Sequence, residues 1–305
     1  MHEVSVKSPA TVSNVVCGFD CLGFALAEPF DEMTLRKIDE PDVRITHHDD
    51  FGLPTHPQHN VAGIALLAMM KHAGVDHGFE LEITKHIMPG SGIGSSAASA
   101  CGAVVAANRL LGERYSRSEL IEFAMQGEMV ASGARHADNL APCVLGGFTL
   151  VRTTEPLDVV SLEFPPLHAT VLHPQIEIKT SEARAILPKQ VPLSDAVHQW
   201  SNLAALVVAL ASGDRDLIAR SLEDRIVEPV RKSLIPKFDE VKSAALAAGA
   251  LGGGISGSGP AVFMLSENAD VAARVEVELT AVYSTTGIEF KTYTSPIAAE
   301  GVRFI

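Results

Sequence analysis

The segment Pro89-Gly90-Ser91-Gly92-Ile93-Gly94-Ser95-Ser96-Ala97-Ala98 constrains this chain more than any other stretch. Three glycines at alternate positions permit a sharp turn that leaves backbone N–H groups exposed. The run Phe79–Ile87 before it reads as a strand, and the alanine-rich run Ala97 to Leu111 after it reads as a helix that opens at Ser95 or Ser96 and closes at Gly112. Strand, glycine loop and helix in that order bring unpaired N–H donors and the positive end of a helix dipole to one place, which suits phosphate. Ser96 carries the hydroxyl chosen to reach a magnesium ion there. The lysine-bearing loop GxxxxGK[ST] is excluded, because no lysine follows the last glycine. A turn that only packs a helix on a strand is the competing reading, and the loop alone leaves it open.

Short β-prone runs occupy the first 50 residues, at Glu3–Lys7, Met33–Ile38 and Val43–His47. Apolar residues at helical spacing from Asn60 to His72 predict a helix with Gly74 as its stop. Ser116 and Glu119 form a capping box for another helix, whose apolar residues lead to Gly133. Pro165 and Pro166 fall between two β-prone runs, so the boundary of two units, 1–165 and 166–305, is expected there. Helices are expected near Asp195–Ala211, Arg215–Leu222 and Phe238–Ala248, then a glycine loop, strand, helix and strand. The mixture is α+β rather than strictly alternating.

A second glycine run, Gly252-Gly253-Gly254-Ile255-Ser256-Gly257, formally satisfies GxGxxG, but it follows a helix and precedes the strand Ala261–Leu265. That is the reverse of the dinucleotide-binding order. A loop with so little side chain points instead to close backbone approach, by another loop or by a ligand. The net charge of −13 opposes nucleic-acid and anionic-membrane partners. The longest apolar stretch, Leu203 to Ala211, is too short to span a bilayer, and a cytoplasmic protein is expected. Four cysteines without paired CxxC spacing read as buried thiols.

Ser8-Pro9-Ala10-Thr11 with Asn14, Gly18-Phe19-Asp20 and Leu22-Gly23 resembles the first motif of the GHMP kinase superfamily; Pro89–Ala98 resembles the second and Gly253–Val262 the third. All three stand in family order and span nearly the whole chain. Glu128 with His136–Pro142, Thr180–Pro188, Glu228–Arg231, and Asn60 resemble the homoserine kinase branch. A departure lies at Val12–Gly18, where the family more often carries small or glycine-rich residues around the asparagine. The resemblance implies an N-terminal domain like ribosomal protein S5 and a C-terminal α/β sandwich domain, with ATP, magnesium and L-homoserine between them, a different hydroxylated small metabolite being the alternative acceptor. It also implies a homodimer as an assembly common in the family, with no interface assigned.

Residue roles follow from the same resemblance. Pro89 to Ser96, Ile93 included, would hold the ATP phosphates, with Asn60 beside the adenine. Ser96 and Glu128 would hold magnesium. An amino-acid acceptor requires cations for its carboxylate and an anion for its ammonium group. Arg184 and Arg231 suit the first and Asp20 the second, with Asn139 at the reacting hydroxyl and Asn14, His136 and Thr180 as secondary contacts. Asp138 and His136 are the candidate bases, although a loose transition state also allows the proton to pass directly to a phosphoryl oxygen.

Overall fold

The computed structural model describes residues 1–132 and 135–305. Strands β1 (Glu3–Val15), β2 (Gly18–Ile38) and β3 (Val43–His47) lead to helix α1 (Val61–Ala73) and β4 (Gly78–Thr84). Helices α2 (Ser95–Leu110), α3 (Arg117–Ser132) and α4 (Leu140–Leu145) precede β5 (Phe148–Thr154), β6 (Leu157–Leu162) and β7 (His168–Pro174). Then come α5 (Thr180–Ala185), α6 (Leu193–Ser212), α7 (Arg215–Ser221), α8 (Glu228–Arg231) and α9 (Phe238–Ala247). Strands β8 (Gly252–Ile255) and β9 (Val262–Ser266), helix α10 (Ala269–Tyr283), β10 (Phe290–Pro296) and β11 (Arg303–Phe304) complete the chain.

Local signals place the helices. Asn60 caps α1, its Oδ1 accepting from the N–H groups of Ala62 at 2.9 Å and Gly63 at 3.3 Å, and Gly74 ends the helix at φ 62°. The capping box is present: Glu119 accepts from the Ser116 N–H and hydroxyl, both at 2.8 Å. The expected stop of α3 at Gly133 lies outside the described residues.

The first sheet runs in the order β11-β1-β2-β4-β3, with β5 on β2 and β6 on β5. Its pairs are antiparallel except β3 with β4. Helices α1 and α2 bury their apolar faces against it and α3 packs onto those two helices, through residues such as Leu66, Met69, Val104 and Met125. The second sheet, β10-β7-β9-β8, is antiparallel and covered on both faces. Strand β9 shows this by its period of two: Val262 and Met264 meet α9 and α10, while Phe263 and Leu265 meet the first sheet. Phe24, Phe148 and Phe263 lie at this junction, with ring centroids 4.9 and 5.6 Å from Phe24. Burying a ring of this size contributes about 1.5–3 kcal/mol, so the junction is a shared core rather than a hinge.

One expected loop is a strand. Gly252–Ile255 forms β8, because its glycines lie where side chains do not fit: a Cβ on Gly253 would stand 2.0 Å from the Phe263 carbonyl oxygen. The inferred close approach is therefore made by backbone, and the turn after β8 meets the first glycine loop.

Candidate active site

Gly90, Gly92 and Gly94 take φ values of 73°, 84° and 71°, which glycine adopts without strain. Gly94 caps α2 with no side-chain hydrogen bond, leaving the first-turn donors free of a side-chain partner. Space also demands glycine here. A Cβ on Gly94 would stand 2.0 Å from Thr11 Oγ1, and one on Gly92 would stand 2.8 Å from the carbonyl oxygens of Ser256 and Gly259. Ser256 Oγ donates to the Gly92 carbonyl at 2.7 Å, so the two glycine segments are bonded together.

A cavity of about 410 Å³ opens over this loop. Every residue expected at the site lines it, with one exception: Asn14, Asp20, Asn60, Pro89, Gly90, Ser91, Gly92, Gly94, Ser95, Ser96, Glu128, His136, Asp138, Asn139, Thr180, Arg184 and Arg231 converge there from both halves of the chain. Ile93 does not. Its side chain is fully buried in the core between the sheets, and its carbonyl accepts from Thr11 N–H at 3.1 Å, so this residue anchors the loop rather than facing a ligand.

Ser96 and Glu128 meet at one end. Burial holds the Glu128 carboxyl above the ordinary range, the Ser96 hydrogen bond opposes this, and the charge of Asp138 adds to it. A desolvated carboxyl beside a hydroxyl suits a small hard cation: the two oxygens would hold Mg²⁺ while water and phosphate supply the remaining positions. Asp138 is buried, and desolvation first and Asp20 second raise its proton affinity, while His136, a backbone N–H and Ser13 counter the rise. Asn139 is pinned to β1 behind it, accepting from Thr11 Oγ1 at 2.8 Å and donating to Ser13 Oγ at 2.9 Å.

At the other end, Arg184 donates to both Asp20 oxygens, at 2.8 Å to one and 3.1 Å to the other, and lies 3.2 Å from His136 Nε2. Arg231 is only 2% exposed, yet its hydrogen bonds go to carbonyls alone, those of Ala183 at 3.0 Å and Gly257 at 3.1 Å. No carboxylate lies within ion-pair distance of it among the described residues. Burial and the charge of Arg184 depress its proton affinity. Thr180 Oγ1 stands 3.4 Å from Ser258 Oγ. Asn14 is a fastener: at φ 57° its Oδ1 accepts from Asp20 N–H at 2.7 Å and its Nδ2 donates to the Gly257 carbonyl at 2.8 Å. Asn60 spends its amide similarly, on the cap of α1, the Pro54 carbonyl at 2.7 Å and His47 Nε2 at 3.2 Å, so what it offers a ligand is surface.

Sequence reasoning missed Lys85. Its ammonium group is buried and satisfied three times, by Asp31 Oδ2, by Ser99 Oγ at 2.9 Å and by the Ser95 carbonyl at 3.2 Å. Asp31 Oδ1 also accepts from the N–H groups of His86 at 2.8 Å and Ile87 at 2.9 Å. This pair ties β2 to the segment entering the loop and to the first turn of α2.

Residues 60–147 match the model of the GHMP kinases N terminal domain, and residues 206–285 match that of the GHMP kinases C terminal domain. Homoserine kinase of Chloroherpeton thalassium is 44% identical over 322 residues, covering all of both chains. That of Xanthomonas campestris pv. campestris is 41% identical over all of this chain and 95% of its own. The crystal structure of homoserine kinase from Cytophaga hutchinsonii superposes with a TM-score of 0.96 at 47% identity, covering 100% of this chain and 98% of that one. Mevalonate kinase of L. major, in complex with R-mevalonate, shares the fold at 17% identity and a TM-score of 0.74, over 95% of this chain and 94% of its own.

Proposed function

The chain belongs to the GHMP kinase family and, within it, to the homoserine kinases, and from that premise we propose how its cavity residues divide the work. It moves the γ-phosphoryl group of ATP to the side-chain hydroxyl of L-homoserine, giving O-phospho-L-homoserine and ADP for threonine biosynthesis. One observation carries the assignment of the acceptor site. Arg231 is a buried guanidinium whose hydrogen-bond acceptors among the described residues are backbone carbonyls, and it lines the cavity beside Arg184. A carboxylate is the group such a cation is missing. Asp20 and Arg184 neutralise each other until a zwitterionic substrate arrives. Its ammonium group then takes Asp20, and its carboxylate takes Arg184 and Arg231.

The loop Pro89–Ser96 and the first turn of α2 receive the phosphates on backbone donors. Ser96 and Glu128 would hold Mg²⁺, which when bound would supply positive charge against the phosphates. Asn139 and His136 orient the hydroxyl oxygen for in-line attack. Its O–P bond forms as the bond to the β-phosphate oxygen breaks. Burial raises the proton affinity of Asp138, and this supports Asp138 as the acceptor of the hydroxyl proton.

Residues 1–165 and 166–305 form the two units of this reading, supported by the division of strands between the sheets, with β11 returning to the first. A cytoplasmic location, a homodimeric assembly and the absence of a nucleic-acid partner belong to it as well. The net charge of −13 supports the last of these, and among the described residues no helix is long and apolar enough to cross a membrane.

A coupled ADP-release assay with Mg-ATP tests the reading, comparing L-homoserine with L-serine, L-threonine, mevalonate and galactose. Selective turnover of L-homoserine is expected, with KM for it rising at least about tenfold in Arg184→Ala and Arg231→Ala. Unchanged KM in either variant sinks the carboxylate assignment.

A further inference from the structure

We propose that Phe19 is the positioning residue for the acceptor site, a π platform that holds Arg184 and Arg231 together so that both reach one carboxylate. Both guanidinium carbons lie over its ring, Arg231 at 5.0 Å from the centroid and Arg184 at 5.6 Å. The ring is half-buried and does not line the ATP and acceptor cavity; it lines a small pocket behind it, with Arg231, Asn14 and Gly257.

Two like-charged groups brought to one place repel each other, and of the two, among the described residues, Arg184 alone has a carboxylate within ion-pair distance, while those of Asp20, Asp224 and Asp138 act on Arg231 from farther off. The negative face of an aromatic ring adds a direct contact to that longer-range compensation, and it is stronger where water is excluded, as it is around Arg231. The ring also sits on a fixed frame. Asn14, Val16 and Asp20 all take left-handed backbone angles, at φ 57°, 47° and 58°, in the turn that carries Phe19. Asn14 locks that turn through Asp20 N–H and the Gly257 carbonyl, and Arg231 donates to the same carbonyl. Turn, ring and arginine therefore share one reference point. Strain of this kind persists where the surroundings determine it, and here it fixes the height of a ring under two cations.

This inference rests on the assignment of Arg184 and Arg231 to the substrate carboxylate, and the test separates the two. Phenylalanine at position 19 is replaced by its mono-, di- and trifluorinated analogues, which weaken the face of the ring stepwise at nearly constant shape. Homoserine KM should rise along the series, to about tenfold for the trifluorinated ring, while KM for ATP, kcat and the thermal midpoint hold. Phe19→Tyr should retain the wild-type value, and Phe19→Leu should lose at least as much as the trifluorinated ring. A flat series, with Arg184→Ala and Arg231→Ala still raising homoserine KM, overturns the platform and leaves the acceptor site standing. Arginine variants that do not alter homoserine KM remove both.

Discussion

Replacing Lys85 by methionine deletes one half of an ion pair whose side chains are 1% and 0% exposed. Removing one partner of a buried pair costs about 3–5 kcal/mol, because the other charge is left without compensation. Asp31 keeps two backbone donors on Oδ1, which argues for the lower end, about 3 kcal/mol. The Ser95 carbonyl and Ser99 hydroxyl each lose a charged donor, adding roughly 1 kcal/mol between them because Ser99 keeps its bond to the Ser95 carbonyl. The expected loss of about 4 kcal/mol lowers the thermal midpoint by roughly 8 °C at ~2 °C per kcal/mol for a chain of this size. Thermal and urea unfolding of Lys85→Met measure it, alongside KM for ATP, which rises because the first turn of α2 is freed. Combining Lys85→Met with Asp31→Asn removes the stranded charge and should recover more than half of the loss. A single variant within about 1 kcal/mol of wild type, or a double variant as unstable as the single, refutes the reasoning.

Glu128 predicts a pH dependence. Its folded-state proton affinity is raised, so the stability it contributes without metal is present at acid pH and lost as pH rises through the folded value; bound Mg²⁺ reverses that loss. Stabilisation by Mg²⁺ with a non-hydrolysable ATP analogue should therefore grow from acid to basic buffers in thermal-shift measurements. Glu128→Gln should flatten this growth, and an unaltered profile in that variant argues against metal at this carboxyl. Gly92 and Gly90 form a matched pair: both have positive φ, but a Cβ on Gly90 meets open space whereas one on Gly92 strikes two carbonyl oxygens. Gly90→Ala should cost about 1–2 kcal/mol of stability, while Gly92→Ala should also raise KM for ATP at least about tenfold. Equal KM effects in the two variants would contradict the steric argument.

What the sequence made legible was local. Asn60 and Gly74 mark the two ends of α1 and Ser116 with Glu119 marks the start of α3, and the structure places those ends where the caps fall. The full length of β1 and β2 was not legible, since Ser8-Pro9-Ala10, Gly23 and Pro29 interrupt the β pattern and only pairing across the sheet carries the strands through them. Short helices α4, α5 and α8 lack a full amphipathic repeat and escaped notice. At the site, the motifs supplied residue types, and 17 of the expected lining positions converge, but not the orientation of Ile93, which only its place between the sheets explains. Lys85 and Asp31 are 54 positions apart and share no motif, so nothing local announces their bond. Phe19 lay in plain view within a motif, yet its use depends on two arginines from the far half of the chain.

The bond between the glycine segments bears on how the two substrates sense each other. Gly92, in the nucleotide loop, is held by Ser256; the next residue, Gly257, carries the carbonyl that receives Arg231. A nucleotide that shifts the Gly92 carbonyl thus moves the support of the arginine proposed to bind the acceptor, without touching it. Equilibrium linkage makes such an effect mutual: the factor by which ATP alters affinity for homoserine equals the factor by which homoserine alters affinity for ATP. Titrating each substrate in the presence and absence of the other, with a non-hydrolysable nucleotide, reads one coupling constant from two directions.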